Sequence, residues 1–420
     1  MNNQAIVVKI NKIVPHPNAD RIQLAKLFGT QVIVSNDVKE GDILIYVDSN
    51  VKMSPEFLQH NNLYRHPELN DDNTKSGFFE DNGRVKMIKI RGEYSDGFLF
   101  PFEYLQWAGL VEELSVGTEF DTINGHKICE KYVPKVRQKG DSNRPKLSLK
   151  KLTVPMFKEH WDTDQFMRSK HLIPANTVCY LEEEVHGTSH RTGYMQFTSE
   201  TPIPKLKRWI WNLLSKKEVK LNNNSTVYDW VYLNGTRRVI HTPNREISPY
   251  HDNTMREEVK EMVTGLLHKG EELYIELFGY EKSGAHIQKG FPYGCKQGEY
   301  RALLYRVTLN NPDGITVDYN REAVYLRAEE LGLEVPKLFE KFYYNGSEES
   351  MQELEEKMIA YAQGQSKMGK GAHDTLQEGV VCWFIDANGK WKALKYKSDA
   401  FRAKESSNKD KGIIDQEDLN

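Results

Sequence analysis

No stretch of the 420-residue chain approaches 18 uninterrupted apolar residues, so no helical membrane span is expected. The opening MNNQAIVVKINKIV lacks the basic-then-apolar order of a secretory signal. Cysteine is scarce. Cys129, Cys179, Cys295 and Cys382 stand far apart, with neither the paired spacing of a zinc site nor the density of a disulfide framework. Buried thiols in a reducing compartment fit this usage, and a cytoplasmic monomer is expected. No internal repeat is found, which excludes a solenoid. Net charge is only −3, so overall charge does not point to nucleic acid.

What is present is an ordinary globular balance, 39% hydrophobic and 28% charged residues, over a length that favours two or three domains. Basic residues cluster in two places. From Glu130 to Lys151 there are eight (Lys131, Lys135, Arg137, Lys139, Arg144, Lys146, Lys150, Lys151) against two acidic ones. KLKRWIWNLLSKKEVK, from Lys205 to Lys220, interleaves six basic residues with tryptophan and leucine. Each run suits either phosphate neutralisation or a solvated linker and surface helix.

Residues 5 to about 105 read as short β-branched strands (AIVVKINKIV, QVIVSNDV, DILIYVDSNV, RVKMIKI) cut by Gly and Asn turns, the pattern of a small barrel. PKVRQKGDSNRPK marks a boundary. From about 152 to 400, strands (TVCYLEEEV, DWVYLNG, RRVIHT, ELYIELFGY, YRALLYRVTL, GVVCWFI, WKALKYK) alternate with helices (NTMREEVKEMVTGLLHKG, REAVYLRAEELGL, EESMQELEEKMIAYAQG). The first helix is expected to start at Asn253 and stop at Gly270. The fold class is therefore α+β with mostly antiparallel sheets. The expected organisation is a barrel at 1–129, a basic linker at 130–151, an α+β domain at 152–402 and a polar, frayed tail at 403–420.

Four segments of the large domain carry chemistry: Glu183-Glu184-Val185-His186-Gly187-Thr188-Ser189-His190-Arg191, Ile275-Glu276-Leu277-Phe278-Gly279, Gln377-Glu378-Gly379-Val380-Val381 and Leu394-Lys395-Tyr396-Lys397-Ser398. Each alone is a common turn or surface charge. In this order they resemble motifs I, III, IV and V of covalent nucleotidyltransferases, and His-Gly after the nucleophile position resembles the RNA-ligase variant. The resemblance covers roughly residues 150–400. It implies an antiparallel-sheet, ATP-grasp-like ligase domain that uses ATP and Mg2+ (or Mn2+) to join 3′-hydroxyl and 5′-phosphate RNA ends through enzyme-AMP and RNA-adenylate intermediates.

Lys395 and Lys397, two apart on a strand, share a face. The resemblance turns that face toward the α-phosphate. It also implies Glu378 as a metal carboxylate, Glu276 as a ribose or metal contact, and Gly187 and Arg191 at the nucleotide. His186 is implied for transfer to the RNA 5′-phosphate. For stacking on adenine, Tyr300 or Tyr305 are the candidates, with Tyr300 taken first. Asn234-Gly235-Thr236-Arg237-Arg238 resembles a basic turn near the phosphates, or forms a plain hairpin.

One position departs from the pattern. The family places its nucleophilic lysine where this chain has Glu184, and the nearest upstream lysine, Lys170, lies a whole strand away. A carboxylate cannot form the lysyl-adenylate. Beside a triphosphate it also repels, by roughly 4 kcal/mol for two charges about 4 Å apart at an effective dielectric near 20. Self-adenylylation is expected to be lost. An inactivating substitution, a non-catalytic RNA-binding pseudo-ligase and a chain that seals only pre-adenylylated ends all fit.

At the amino terminus, His16-Pro17-Asn18-Ala19-Asp20-Arg21 resembles the opening of OB-fold tRNA-binding modules, and Ile90-Arg91-Gly92-Glu93-Tyr94-Ser95-Asp96-Gly97 their closing element. A barrel of this kind before a nucleotidyltransferase domain resembles the RNA-ligase group typified by the ligases of Deinococcus and Naegleria. It implies RNA binding by charge and stacking. His16, Asn18 and Asp20 themselves are read as turn builders.

Overall fold

Alternation along three neighbouring strands decides which side of the large domain faces the site. The computed structural model of the chain describes residues 4–110, 112–133, 156–200, 225–241, 254–368 and 375–412. Much of the basic stretch 130–151, all of Lys205–Lys220 and Asn253 lie outside these residues.

In the amino-terminal part, Ala5–Lys9 pairs with both Ile43–Val47 and Glu119–Phe120, and Phe98–Phe100 extends the same sheet. A second sheet is formed by Ile13–Pro15, Ile22–Leu27 and Thr30–Ser35. Val7, Ile45, Val47, Val51, Phe57 and Phe100 are buried in the barrel interior. The two motifs noted in this part are bonded to each other. His16 Nε2 lies 3.2 Å from the Ile90 carbonyl, and Asn18 Nδ2 donates to the Arg91 carbonyl at 2.9 Å. Arg91 Nη1 in turn donates to the Asn18 carbonyl at 3.1 Å. The turn-building role read for His16 and Asn18 fits these bonds.

In chain order the principal strands of the large part are β1 Thr177–Glu184, β2 Thr188–Glu200, β3 Ser225–Gly235, β4 Glu271–Gly279, β5 Tyr300–Asn310, β6 Leu338–Tyr344, β7 Gly379–Ile385 and β8 Trp391–Lys397. The helices are α1 Thr254–Val263, α2 Arg321–Leu331, α3 Glu348–Tyr361 and α4 Asp399–Asp410. One sheet runs Asp164–Gln165, β8, β7, β1, β6. The other runs Ile240–His241, β3, β2, β4, β5, Thr316–Asp318. All these pairings are antiparallel except that of Asp164–Gln165 with β8. The α+β class with antiparallel sheets is observed.

The chain crosses from the first sheet to the second at Val185-His186-Gly187, between β1 and β2. Gly187 is required there because a Cβ at this position would stand 2.3 Å from the Leu277 carbonyl of β4. His186 is thereby held at the seam between the sheets.

On β1, β7 and β8 the two-residue period sorts side chains cleanly. Cys179, Leu181, Val380, Cys382, Phe384, Leu394 and Tyr396 pack into one core with Leu354 and Met358 of α3. Glu182, Glu184, Val381, Trp383, Lys395 and Lys397 face the opposite way, into a cavity.

Two expectations are corrected here. α1 ends at Val263, and Gly270 (φ +86°) instead opens the turn into β4. Residues 403–410, read as the start of a frayed tail, continue α4, which Ser398 caps by accepting from Phe401 N at 3.1 Å. This helix is tied to the barrel. Arg84 Nη1 meets Asp410 at 2.6 Å, Arg84 Nη2 donates to Ser406 Oγ at 3.0 Å, and Thr30 Oγ1 donates to Asp399 at 2.9 Å. A polar composition hid it because its partners come from residues some 320 or more positions away.

Candidate functional site

Glu184 ends β1 and Gly379 stands beside it on β7, followed by Lys397 on β8. With only a glycine between them, the acidic and basic side chains share one surface. A Cβ at Gly379 would lie 3.0 Å from Glu184 Oε2 and 2.2 Å from the Tyr396 carbonyl. Glu184 Oε1 accepts from Lys395 Nζ at 3.0 Å, and Lys397 Nζ pairs with Glu378 Oε1 at 2.7 Å. Glu184 Oε2 is buried and makes no hydrogen bond among the described residues.

Burial, and then repulsion from Glu378, raise the Glu184 carboxyl above its ordinary value despite the opposing pull of Lys395 and Lys397. Burial alone would depress the Lys397 ammonium. The carboxylates of Glu378, Glu405 and Glu184 reverse this and hold it well above the ordinary lysine range. Burial likewise pushes Glu405 of α4 up, but Lys397 and Lys409 overcome it and hold the carboxyl well below the usual range. The site is thus a closely balanced set of charges.

His186 is fixed on three sides. Its backbone N–H donates to the Tyr293 hydroxyl at 2.7 Å, its ring meets the edges of Phe291 and Phe401, and its Nδ1 stands 3.6 Å from Glu378 Oε2. Tyr293 is fully buried with φ +48°, a left-handed conformation that a bulky residue adopts only when its surroundings enforce it.

Glu184, His186, Gly187, Glu276, Glu378, Lys395 and Lys397 line one cavity of about 400 Å³ between the sheets, together with Tyr305 and Trp383. Arg237 and Arg238 stand at its margin, and Asn50, Lys131 and Tyr132 wall it from the barrel side.

Two residues expected at the nucleotide are elsewhere. Arg191 is 1% exposed. Its guanidinium donates to the carbonyls of Thr236 and Lys158 at 2.8 and 2.6 Å and pairs with Glu272 at 3.5 Å, behind the cavity wall. Tyr300 donates to Glu258 of α1 at 2.7 Å. Of the two tyrosines of β5, it is Tyr305, five residues on, that reaches the cavity. Sequence reading missed Tyr293, Trp383, Arg402 and Glu405. Trp383 alone carried a signal, since it shares the two-residue register of Gly379 and Val381.

A family model described as an OB-fold domain matches residues 4–102. A search of curated protein sequences gives no match. Among solved structures, a lysine-to-alanine mutant of Naegleria gruberi RNA ligase with ATP and Mn is similar over 95% of this chain and 98% of that one, at TM-score 0.58 and 15% identity. The same ligase with pyrophosphate is similar over 97% and 100%, at 0.58 and 16%.

This chain has the ligase fold.

Within that fold, the cavity described above is formed where the crossover at His186 meets β7 and β8. Among the described residues no group of three or more His, Cys, Asp or Glu is arranged to hold a metal ion. The carboxylates that line the cavity include Glu378, Glu276 and the unbonded Oε2 of Glu184. Such a donor set fits Mg2+, which keeps several waters and binds through one or two carboxylates plus substrate phosphates. No described helix is long and apolar enough to cross a membrane.

Proposed function

We propose that the protein is an RNA ligase of the nucleotidyltransferase type, acting on 3′-hydroxyl and 5′-phosphate RNA ends, in which Glu184 has removed the first step. The observation that carries this reading is the convergence of Lys395, Lys397, Glu378 and His186 on one cavity, with a carboxylate at the position that would supply the nucleophile.

In the full reaction an amine attacks the α-phosphorus of ATP, and pyrophosphate leaves. Glu184 offers no amine, and its partner Lys395 is held in an ion pair. The final step needs no protein nucleophile. There the RNA 3′-hydroxyl oxygen bonds to the 5′-phosphorus of an RNA-adenylate, AMP leaves with the bonding pair of the broken P–O bond, and the hydroxyl proton passes to solvent. Lys397 and Lys395 would face the phosphates, and His186, immobilised by Tyr293, Phe291 and Phe401, would orient the 5′-phosphate. Mg2+ or Mn2+, held by Glu378 and phosphate oxygens, would neutralise charge on the reacting phosphate. Tyr305 or Trp383 would offer the adenine a ring face. The barrel would hold the RNA.

The test uses two arms. The chain as it stands should seal nicked duplex RNA whose 5′ end already carries AMP, and Glu184→Lys should acquire labelled AMP from ATP and magnesium. Absence of both sealing and protein-linked AMP would sink the ligase reading. RNA binding without sealing, and with no label on Glu184→Lys, would favour a non-catalytic RNA-binding protein.

A further inference from the structure

The element Ser95-Asp96-Gly97 of the barrel plays no part in the function proposed above, yet it reaches the cavity through one contact. Asp96 is completely buried. Its Oδ2 accepts from Arg402 Nη2 of α4 and, at 3.2 Å, from the Tyr46 hydroxyl. Its Oδ1 has no hydrogen bond among the described residues. Gly97 (φ +92°) allows this placement, because a Cβ there would stand 2.3 Å from the Val47 carbonyl.

A buried carboxylate with one unbonded oxygen is an expensive way to hold a helix against a barrel. Well-packed apolar residues in place of a buried ion pair often hold a fold as well or better. The arrangement is better explained by what it does to its partner. Arg402 keeps 15% of its side chain exposed and lines the main cavity. It also lines a second, smaller cavity of about 80 Å³ that opens between the barrel and β8. Lys395 and Lys397 line both cavities as well. Three cations, Lys395, Lys397 and Arg402, are thus common to the lining of both cavities. Arg402 is the one held by the barrel, and its planar guanidinium suits bidentate contact with phosphate oxygens.

We propose that Arg402 is a phosphate-binding residue of this site and that Asp96, from the barrel, is the positioning residue that aims it. Barrel docking then sets the anion affinity of the cavity, in addition to any contact the barrel makes with RNA. The inference rests on the cavity being an anion site, as the proposed function requires.

Inorganic pyrophosphate is the probe, and its affinity for the full chain is measured by calorimetry, with thermal unfolding alongside. Arg402→Gln should weaken pyrophosphate about tenfold or more, the loss of one charge-assisted contact. The sign for Asp96→Asn is diagnostic. Removing a negative charge near an anion site should tighten binding if Asp96 acts only through its field. If Asp96 aims Arg402, binding should weaken several-fold. Adding Asp96→Asn to Arg402→Gln should then produce no further loss, because the positioned group is already gone.

Unchanged pyrophosphate affinity in Arg402→Gln, tighter binding by Asp96→Asn or full additivity of the two would each overturn the inference. Lys395→Ala and Lys397→Ala separate this failure from a wider one. If they lose pyrophosphate while Arg402→Gln does not, the ligase reading stands and the role of Arg402 falls. A chain that binds no pyrophosphate at all overturns both. If Asp96→Asn does not fold, Arg402→Gln alone decides.

Discussion

Glu184 Oε1 lies 3.0 Å from Lys395 Nζ, so the residue proposed for the nucleophile position is ion-paired to a lysine expected at the α-phosphate. The carboxylate does two things at once. On the proposed function it would leave no attacking amine, and it would engage a cation that phosphate could otherwise use.

Glu184→Gln should therefore tighten ATP without restoring chemistry. The replacement deletes a negative charge from a buried site and releases Lys395 from its ion pair. A gain of about tenfold, roughly 1.4 kcal/mol, is a conservative fraction of the Coulomb repulsion at an effective dielectric near 20. Equilibrium binding of labelled ATP reads the gain, and a parallel gel should show no protein-linked AMP.

The two tyrosines of β5 should separate cleanly. Tyr300→Phe loses the hydroxyl's bonds to Glu258 and to the Met255 carbonyl, both off the cavity, so AMP affinity should stay within about twofold. Tyr305→Ala removes a ring that lines the cavity and should cost about tenfold, the lower range for base–aromatic stacking. A loss in Tyr300→Phe with none in Tyr305→Ala would reverse the placement of the adenine.

Glu272 predicts a pH dependence of stability. Burial, outweighing Arg191 at 3.5 Å, raises its carboxyl from the model-compound value of 4.5 to about 7. The folded state therefore prefers the protonated form more than the unfolded state does. The stability this contributes is full below about pH 4.5 and is lost as pH rises through about 7. Over that 2.5-unit window the loss is on the order of 3 kcal/mol. Relative to Glu272→Gln, which cannot ionise, the chain should lose denaturant stability between those pH values. Parallel pH profiles of the two would refute the assignment.

Much of the site was legible in the sequence because its residues sit on regular strands. Lys395 and Lys397, two apart in WKALKYK, must project from one face, and the residues of the alternate register beside them are free to enter the core. Leu394 and Tyr396 do so. The resemblance also marked Gly187, although its close approach to the Leu277 carbonyl shows only in the fold. Arg191 shows where such reading stops. It follows the His-Gly segment on β2, but its neighbours Glu272, Thr236 and Lys158 come from three other parts of the chain and draw the guanidinium behind the wall. Period alone cannot tell which of two buried faces a cation will serve.

By itself the sequence determined the alternation of side chains along single strands, the order of the four motifs and the chemical fact that position 184 carries a carboxylate. These are local properties, set by a two-residue repeat and by side-chain type. Only the tertiary structure decided that Glu184 would pair with Lys395, that Tyr305 and not Tyr300 would reach the cavity, and that a polar carboxy-terminal segment would become a helix clamped to the barrel through Arg84, Asp96 and Thr30. The ion pair and the clamped helix depend on partners separated by some 210 to 370 positions, which meet only when two sheets and a barrel close around the same buried charges.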